Sequence, residues 1–220
     1  MLILGGLVVV RTALSRLGGG DPAGGFLTLT RDFPEKFDLI LSPDNPFYNI
    51  SAVTRLYGRL DMGALERTLH EIVRRHEVLR TSYSVVDGRS VQVVMPDGPF
   101  GVPVADISHL PESERETEVS RLTALEVQRP FKLSEAPLVR AALVRLSEEE
   151  HVLLFTTHHI VGDGWSMGVL VKEVAALYAA FTEGKPSPLS ELPIQYADFA
   201  VWQGEWLQGE VLEGVLAYWR

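Results

Sequence analysis

The run from His151 to Ser166 constrains the fold of this chain more than any other stretch. Residues 151–157 are continuous and largely apolar, and His158 and His159 follow, then Ile160, Val161, Gly162, Asp163, Gly164, Trp165 and Ser166. A short apolar run of this kind fits a largely buried strand, so the two histidines stand at a strand's end. Successive strand side chains point to opposite faces, so one imidazole turns into a cleft while its neighbour is held inside by hydrogen bonds. Gly162 and Gly164 flank Asp163, which predicts a tight turn and a bare amide close to whatever fills the cleft. Ser166 is the expected N-cap of a helix whose apolar face carries Met167, Leu170, Val171, Val174, Leu177, Tyr178 and Phe181 at i, i+3, i+4, i+7 spacing. Strand, glycine turn and helix make one unit.

That unit concentrates acid and base chemistry. A neutral imidazole takes a proton from an attacking amine or hydroxyl, and a nearby backbone N–H stabilises an oxyanion on the attacked carbonyl. Asp163 is better placed to orient than to react. Two plainer readings compete: a satisfied structural pair of histidines, and a metal site of His158, His159 and Asp163. The metal reading is opposed by the divergence of adjacent strand side chains and by the lack of any cysteine.

The segment resembles the His-His-x-x-x-Asp-Gly motif of nonribosomal peptide synthetase condensation domains, relatives of chloramphenicol acetyltransferase, and wax-ester synthase-like acyltransferases share that motif. Two further stretches narrow the resemblance. Arg75-His76-Glu77-Val78-Leu79-Arg80-Thr81 resembles the second signature of condensation domains, and Tyr196-Ala197-Asp198-Phe199-Ala200-Val201-Trp202-Gln203 resembles a later one. The three occur in family order. Asp163-Gly164-Trp165-Ser166 is similar to condensing members, since epimerising and cyclising relatives differ at the aspartate's neighbour or at both histidines. The departure is at the front, where residues 31–38 do not match the usual opening signature.

The resemblance implies an α/β fold, a chloramphenicol acetyltransferase-like lobe with a mixed β-sheet and flanking helices. It implies residues 45–220 as the N-terminal lobe of a condensation domain after a divergent segment, 1–44. The implied activity joins an acyl or peptidyl thioester to an aminoacyl amine, both borne on phosphopantetheine, with no directly bound cofactor and no metal. Its partners would be upstream and downstream carrier proteins and an adenylation domain. In that scheme His159 positions the amine and collects its proton, His158 fixes the loop, Asp163 holds its geometry and the Gly164 amide serves the oxyanion. Trp165 and Ser166 would contact substrate, and Arg75, His76, Glu77, Arg80, Tyr196, Asp198 and Trp202 would be structural. Arg75 and Arg80 are expected to make an orienting ion pair with a carboxylate such as Asp163. A CoA- or alcohol-dependent acyltransferase and a non-catalytic carrier-docking fragment are the alternatives.

Composition bounds the partners. In 220 residues the net charge is −9 with no lysine or arginine block, which argues against nucleic acid. Without cysteine there is no thiol nucleophile, disulfide or thiolate site, and a cytoplasmic location is compatible. The opening run, Leu2 to Val10, is apolar but lacks a preceding basic residue and is too short to span a bilayer. It reads as an apolar or misread start in preference to a weak signal segment. Residues 18–25 read as a flexible linker and lack the lysine and hydroxyl residues of a phosphate loop.

Between these landmarks the pattern alternates. Residues 49–60 read as a strand, and Asp61 caps a helix carrying Leu65, Leu69, Ile72 and Val73. Residues 80–86 and 90–95 read as a hairpin about Asp87-Gly88. Pro111 begins a charged helix to about Gln128, and residues 138–146 form a strand paired with the one ending at His158. After Pro193 one helix is expected to carry Phe199, Trp206, Leu207, Val211 and Val215, with Tyr196 and Trp202 packed in the core. The chain stops at Arg220 inside an amphipathic run, so a second lobe is expected to be missing and the lone lobe to be inactive.

Overall fold

In the computed structural model, residues 10–12, 26–29, 45–86 and 89–219 are described. The apolar run of residues 2–9, the linker at 18–25, the divergent stretch at 31–38 and the turn at Asp87-Gly88 lie outside them. Among the described residues, eight strands form two four-stranded sheets. One has the order β1 (Val10–Thr12), β2 (Phe26–Leu29), β5 (Arg89–Val94), β4 (Thr81–Val86). The other, which carries the histidines, has the order β3 (Asn49–Tyr57), β8 (Glu150–His158), β7 (Val139–Arg145), β6 (Val104–Asp106). Its β3, β8 and β7 are antiparallel and β6 joins β7 in parallel, so the sheet is mixed, as expected.

Helices cover both faces of this second sheet. Alternate residues of β7 and β8, among them Leu143, Leu153 and Phe155, enter the main core with α1 (Met62–Arg75) and α3 (Gly164–Thr182). Their neighbours Val144, Val152 and Leu154 enter a second core with Val119 and Leu122 of α2 (Glu112–Gln128). This two-sided burial explains the near-continuous apolar run of β8, since neither face of the strand meets water. Asp61 caps α1, its carboxylate accepting from the Ala64 N–H at 2.9 Å, and Leu65, Leu69, Ile72 and Val73 are buried.

Four expectations change in the details. β3 stops at Tyr57, because Gly58 takes φ of 99°, a left-handed conformation that ends the strand. The N-cap of α3 is Asp163, and Ser166 is its reciprocal partner: Ser166 N–H donates to Asp163 Oδ1 at 2.8 Å while the Ser166 hydroxyl receives the Asp163 N–H. Val171 is 64% exposed, so the buried face of α3 is the narrower set Leu170, Leu177 and Phe181. The last helix is two, α4 (Tyr196–Trp206) and α5 (Gly209–Trp219), separated where Gly209 has φ of 52°.

Candidate active site

β3 and β8 pair through nine residues and end together at Asn49 and His158. Before Asn49 a short 3-10 turn, Pro46–Tyr48, is set by Asn45, whose side chain accepts from the Phe47 N–H. This places Tyr48 beside the histidines, where its carbonyl accepts the His159 N–H at 2.8 Å and its ring lies 5.9 Å from that of His158.

The two imidazoles have opposite environments. His158 is 3% exposed and lies edge-on to Phe131, 6.2 Å between ring centres. Burial first, and then the neighbouring His159, hold its pKa down to about 4, so the ring is neutral at pH 7. Its Nδ1 accepts the Ile160 N–H at 3.1 Å, which puts its proton on Nε2. His159 is exposed, and its Nδ1 lies 2.9 Å from the Gly162 carbonyl. A carbonyl only accepts, so Nδ1 carries the proton of the neutral ring and Nε2 keeps its lone pair. Adjacent residues thus hold opposite tautomers, and the base-competent nitrogen belongs to the exposed one.

The loop that follows turns tightly just ahead of the glycines, where the Val161 N–H donates to the His158 carbonyl at 3.0 Å. Neither Gly162 nor Gly164 has a positive φ. At 164 a side-chain carbon would meet nothing within 4 Å, so open space adjoins this backbone. Gly164 is the first residue of α3, where backbone N–H groups have no partner inside the helix. Trp165 stands beside it, 84% exposed.

Among the described residues no arginine pairs with Asp163. Its carboxylate accepts from Ser166 through both N–H and hydroxyl, and these bonds hold its pKa below the ordinary carboxylate value. It is an exposed helix cap, and its loss removes about 1 kcal/mol of capping instead of breaking a buried ion pair.

The arginines of the second signature make their contacts elsewhere. Arg75, 7% exposed, donates to Glu173 of α3 at 3.2 Å and to the Ser190 carbonyl, and His76 Nε2 meets the same carboxylate at 2.6 Å. Arg80 donates to the Met95 carbonyl and to Glu77 at 3.4 Å. Gln195 closes the arrangement, donating to the Arg75 carbonyl at 2.9 Å and accepting the Glu77 N–H at 3.2 Å. The signature therefore binds the end of α1 to the middle of α3 and to the start of α4. Its contacts run by way of Glu173 and Gln195, not Asp163.

The third signature comes to the site by its first residue. Tyr196, 47% exposed, has its phenol pKa raised by partial burial and then by the Asp163 carboxylate, so the start of α4 lies within electrostatic reach of the loop. Asp198 accepts the Gln195 N–H at 2.9 Å. Trp202 is 53% exposed and stacked on Trp206, with 5.6 Å between ring centres and 7° between planes, so these aromatics are not core. Sequence reasoning missed Tyr48, Asn49, Phe131, Arg140, Glu173 and Gln195. A signal existed for Glu173, an acidic residue between Leu170, Val174 and Leu177 on the packed side of a helix.

No group of three or more metal-ligating side chains occurs among the described residues, and no helix there is long and apolar enough to cross a membrane.

Strand-end histidines, a capped helix after them and a bracing signature from α1 form one site at the end of a mixed sheet in an α/β fold, and comparison with known proteins gives its family. The condensation domain model matches residues 37–220. Chondramide synthase cmdD of Chondromyces crocatus is 47% identical over 173 residues, 79% of this chain and 4% of that one. Malpibaldin synthetase of Mortierella alpina is 42% identical over 173 residues, 79% of this chain and 3% of that one. Among solved structures, SgcC5 of Streptomyces globisporus superposes with a TM-score of 0.68 at 33% identity, over 80% of this chain and 40% of that one. The first condensation domain of the calcium-dependent antibiotic synthetase gives 0.73 at 24% identity, over 84% and 44%, a likeness of fold. This chain belongs to the condensation domain family, and it spans less than half of those solved structures.

Proposed function

We propose that residues 45–220 are the N-terminal lobe of a condensation domain that forms an amide bond between two carrier-bound substrates. The donor is an acyl or peptidyl thioester and the acceptor an aminoacyl thioester, each on the phosphopantetheine arm of a carrier protein. An adenylation domain of the same synthetase and a cytoplasmic location belong to the same proposal. The observation that carries it is the 2.9 Å contact of His159 Nδ1 with the Gly162 carbonyl on an exposed side chain, which in the neutral imidazole leaves the lone pair on Nε2.

The acceptor nitrogen attacks the thioester carbonyl carbon, the C–S bond breaks and the C–N bond forms. His159 Nε2 takes the proton that the nitrogen loses and returns it to the departing thiolate. A free α-amine has an ordinary pKa of about 7.7–8.0, so a fraction is neutral at pH 7 and a strong base is not required. Holding amine and carbonyl in attack geometry is the larger part of the task. The Gly164 N–H stands at the positive end of α3, suited to an oxyanion. Trp165 and Ser166 border the same space and are proposed to contact the substrates.

Replacement of His159 in a complete domain carrying this lobe tests the reading. With both carriers loaded, His159→Ala is expected to slow single-turnover amide formation about 10²–10⁴-fold while carrier binding persists. Turnover at the parent rate would remove His159 from the mechanism.

A further inference from the structure

We propose that Phe131 and Arg140 are positioning residues for this site, fixing the ring of His158 and with it the peptide that carries His159. The inference rests on the reading of His159 as the proton acceptor. Arg140 lies on β7 opposite Thr156, two residues before His158 on β8. Its guanidinium stacks 3.8 Å from the centre of the Phe131 ring. The same guanidinium donates to the Glu126 carboxylate at 2.6 Å, to the Arg129 carbonyl at 2.7 Å and to the Pro130 carbonyl at 3.3 Å.

These acceptors belong to the end of α2 and the chain that leaves it. Helix ends expose carbonyls that need partners, and here a planar fork satisfies several at once. Asn49 adds a second hold on this segment, its Nδ2 donating to the Val127 and Arg129 carbonyls at 2.8 and 2.9 Å. Phe131 is therefore fixed from both neighbouring strands, and its ring is the edge-on neighbour of His158. Tyr48 completes the enclosure, touching the His158 ring with its own ring and the His159 N–H with its carbonyl. Arg140, Phe131, His158 and Tyr48 form a continuous row of planar groups ending at the peptide between the two histidines. None of these four needs to meet substrate.

The test is the tautomeric state of both imidazoles, read by long-range 15N–1H NMR correlation at neutral pH in the 220-residue chain. The parent is expected to show His158 protonated at Nε2 and His159 at Nδ1. Phe131→Leu, which keeps apolar bulk but loses the ring edge, is expected to convert His158 to a mixture of tautomers and weaken the His159 Nδ1–H signal. Phe131→Tyr is expected to keep the parent pattern. Arg140→Lys, which keeps the charge but loses the fork, serves if Phe131→Leu does not fold, and is expected to shift the signals in the same direction. Val144→Ala, a destabilising change in the other core, is expected to leave both imidazoles as in the parent. Parent tautomers in Phe131→Leu, or in Arg140→Lys where only that variant folds, would overturn the proposal, as would an equal disturbance by Val144→Ala. Full activity of His159→Ala with His158 still disturbed by Phe131→Leu would instead overturn the functional reading and leave the positioning intact.

Discussion

Aromatic rings gather at two places in this molecule with opposite results. Around His158, the rings of Tyr48 and Phe131 enclose the imidazole at the end of a strand buried on both faces. Along α4, Tyr196, Phe199, Trp202 and Trp206 follow one another at ring separations of 6.2, 5.6 and 5.6 Å, yet each is at least 40% exposed. The difference lies in what each element turns inward. Helix α4 buries Ala197, Ala200 and Gly204, a small-residue stripe that lets it lie close to the fold and leaves its large rings outside. Aromatic content marks core only where the backbone already has two covered sides.

The largest expected effect falls on the link between the two regions. Glu173 is the carboxylate shared by Arg75 and His76, and Gln195 ties that same turn to the start of α4. Glu173→Ala leaves a buried guanidinium without its counter-charge and is expected to cost about 3–5 kcal/mol in urea unfolding. A cost under about 1 kcal/mol would mean that α1 and α3 are held by apolar packing alone.

Acidification probes the buried region by itself. His158 is neutral when folded, with its pKa near 4, and titrates near 6.5 when unfolded. Between those values the unfolded chain binds the extra proton, so stability falls as pH drops from about 6.5 and the loss levels off below about 4. The loss due to this group is expected to reach about 3 kcal/mol, read as the difference in pH dependence between the parent and His158→Gln. Parallel profiles for the two proteins would show that His158 titrates alike in the folded and unfolded chain.

The exposed row should be the least sensitive. Trp202→Ala is expected to cost no more than about 1 kcal/mol, the worth of an aromatic pair, while removing the near-ultraviolet dichroism of the Trp202–Trp206 stack. A loss of several kcal/mol would make the row part of a core.

The strand–loop–helix unit and the two flanking signatures are legible because each is written in local sequence. Periodicity marks β8, Asp61 marks the start of α1, and the order of the three signatures carries the family resemblance. Contact partners are not legible in the same way. Sequence alone pairs Arg75 with a carboxylate such as Asp163, but a guanidinium reaches any carboxylate its helix happens to face, and α3 presents Glu173 there. The α4 aromatics read as core because the neighbouring alanine stripe gives no hydropathy signal of comparable strength. The cap of α3 lies three residues from its expected place because Asp and Ser, both good caps, stand at either end of one reciprocal pair.

The nine-residue register between β3 and β8 has a consequence for how this domain tolerates insertions and deletions. Side chains alternate sides along a strand, so shifting β8 by a single position would exchange the inward and outward histidines and bury the wrong nitrogen. Length changes at the Ser147–Glu149 bend leave that count intact, whereas one residue added between Val152 and Thr157 would invert it. The hairpin end is where such a chain can drift in length, and the nine paired positions act as a ruler that fixes which of two identical side chains faces solvent.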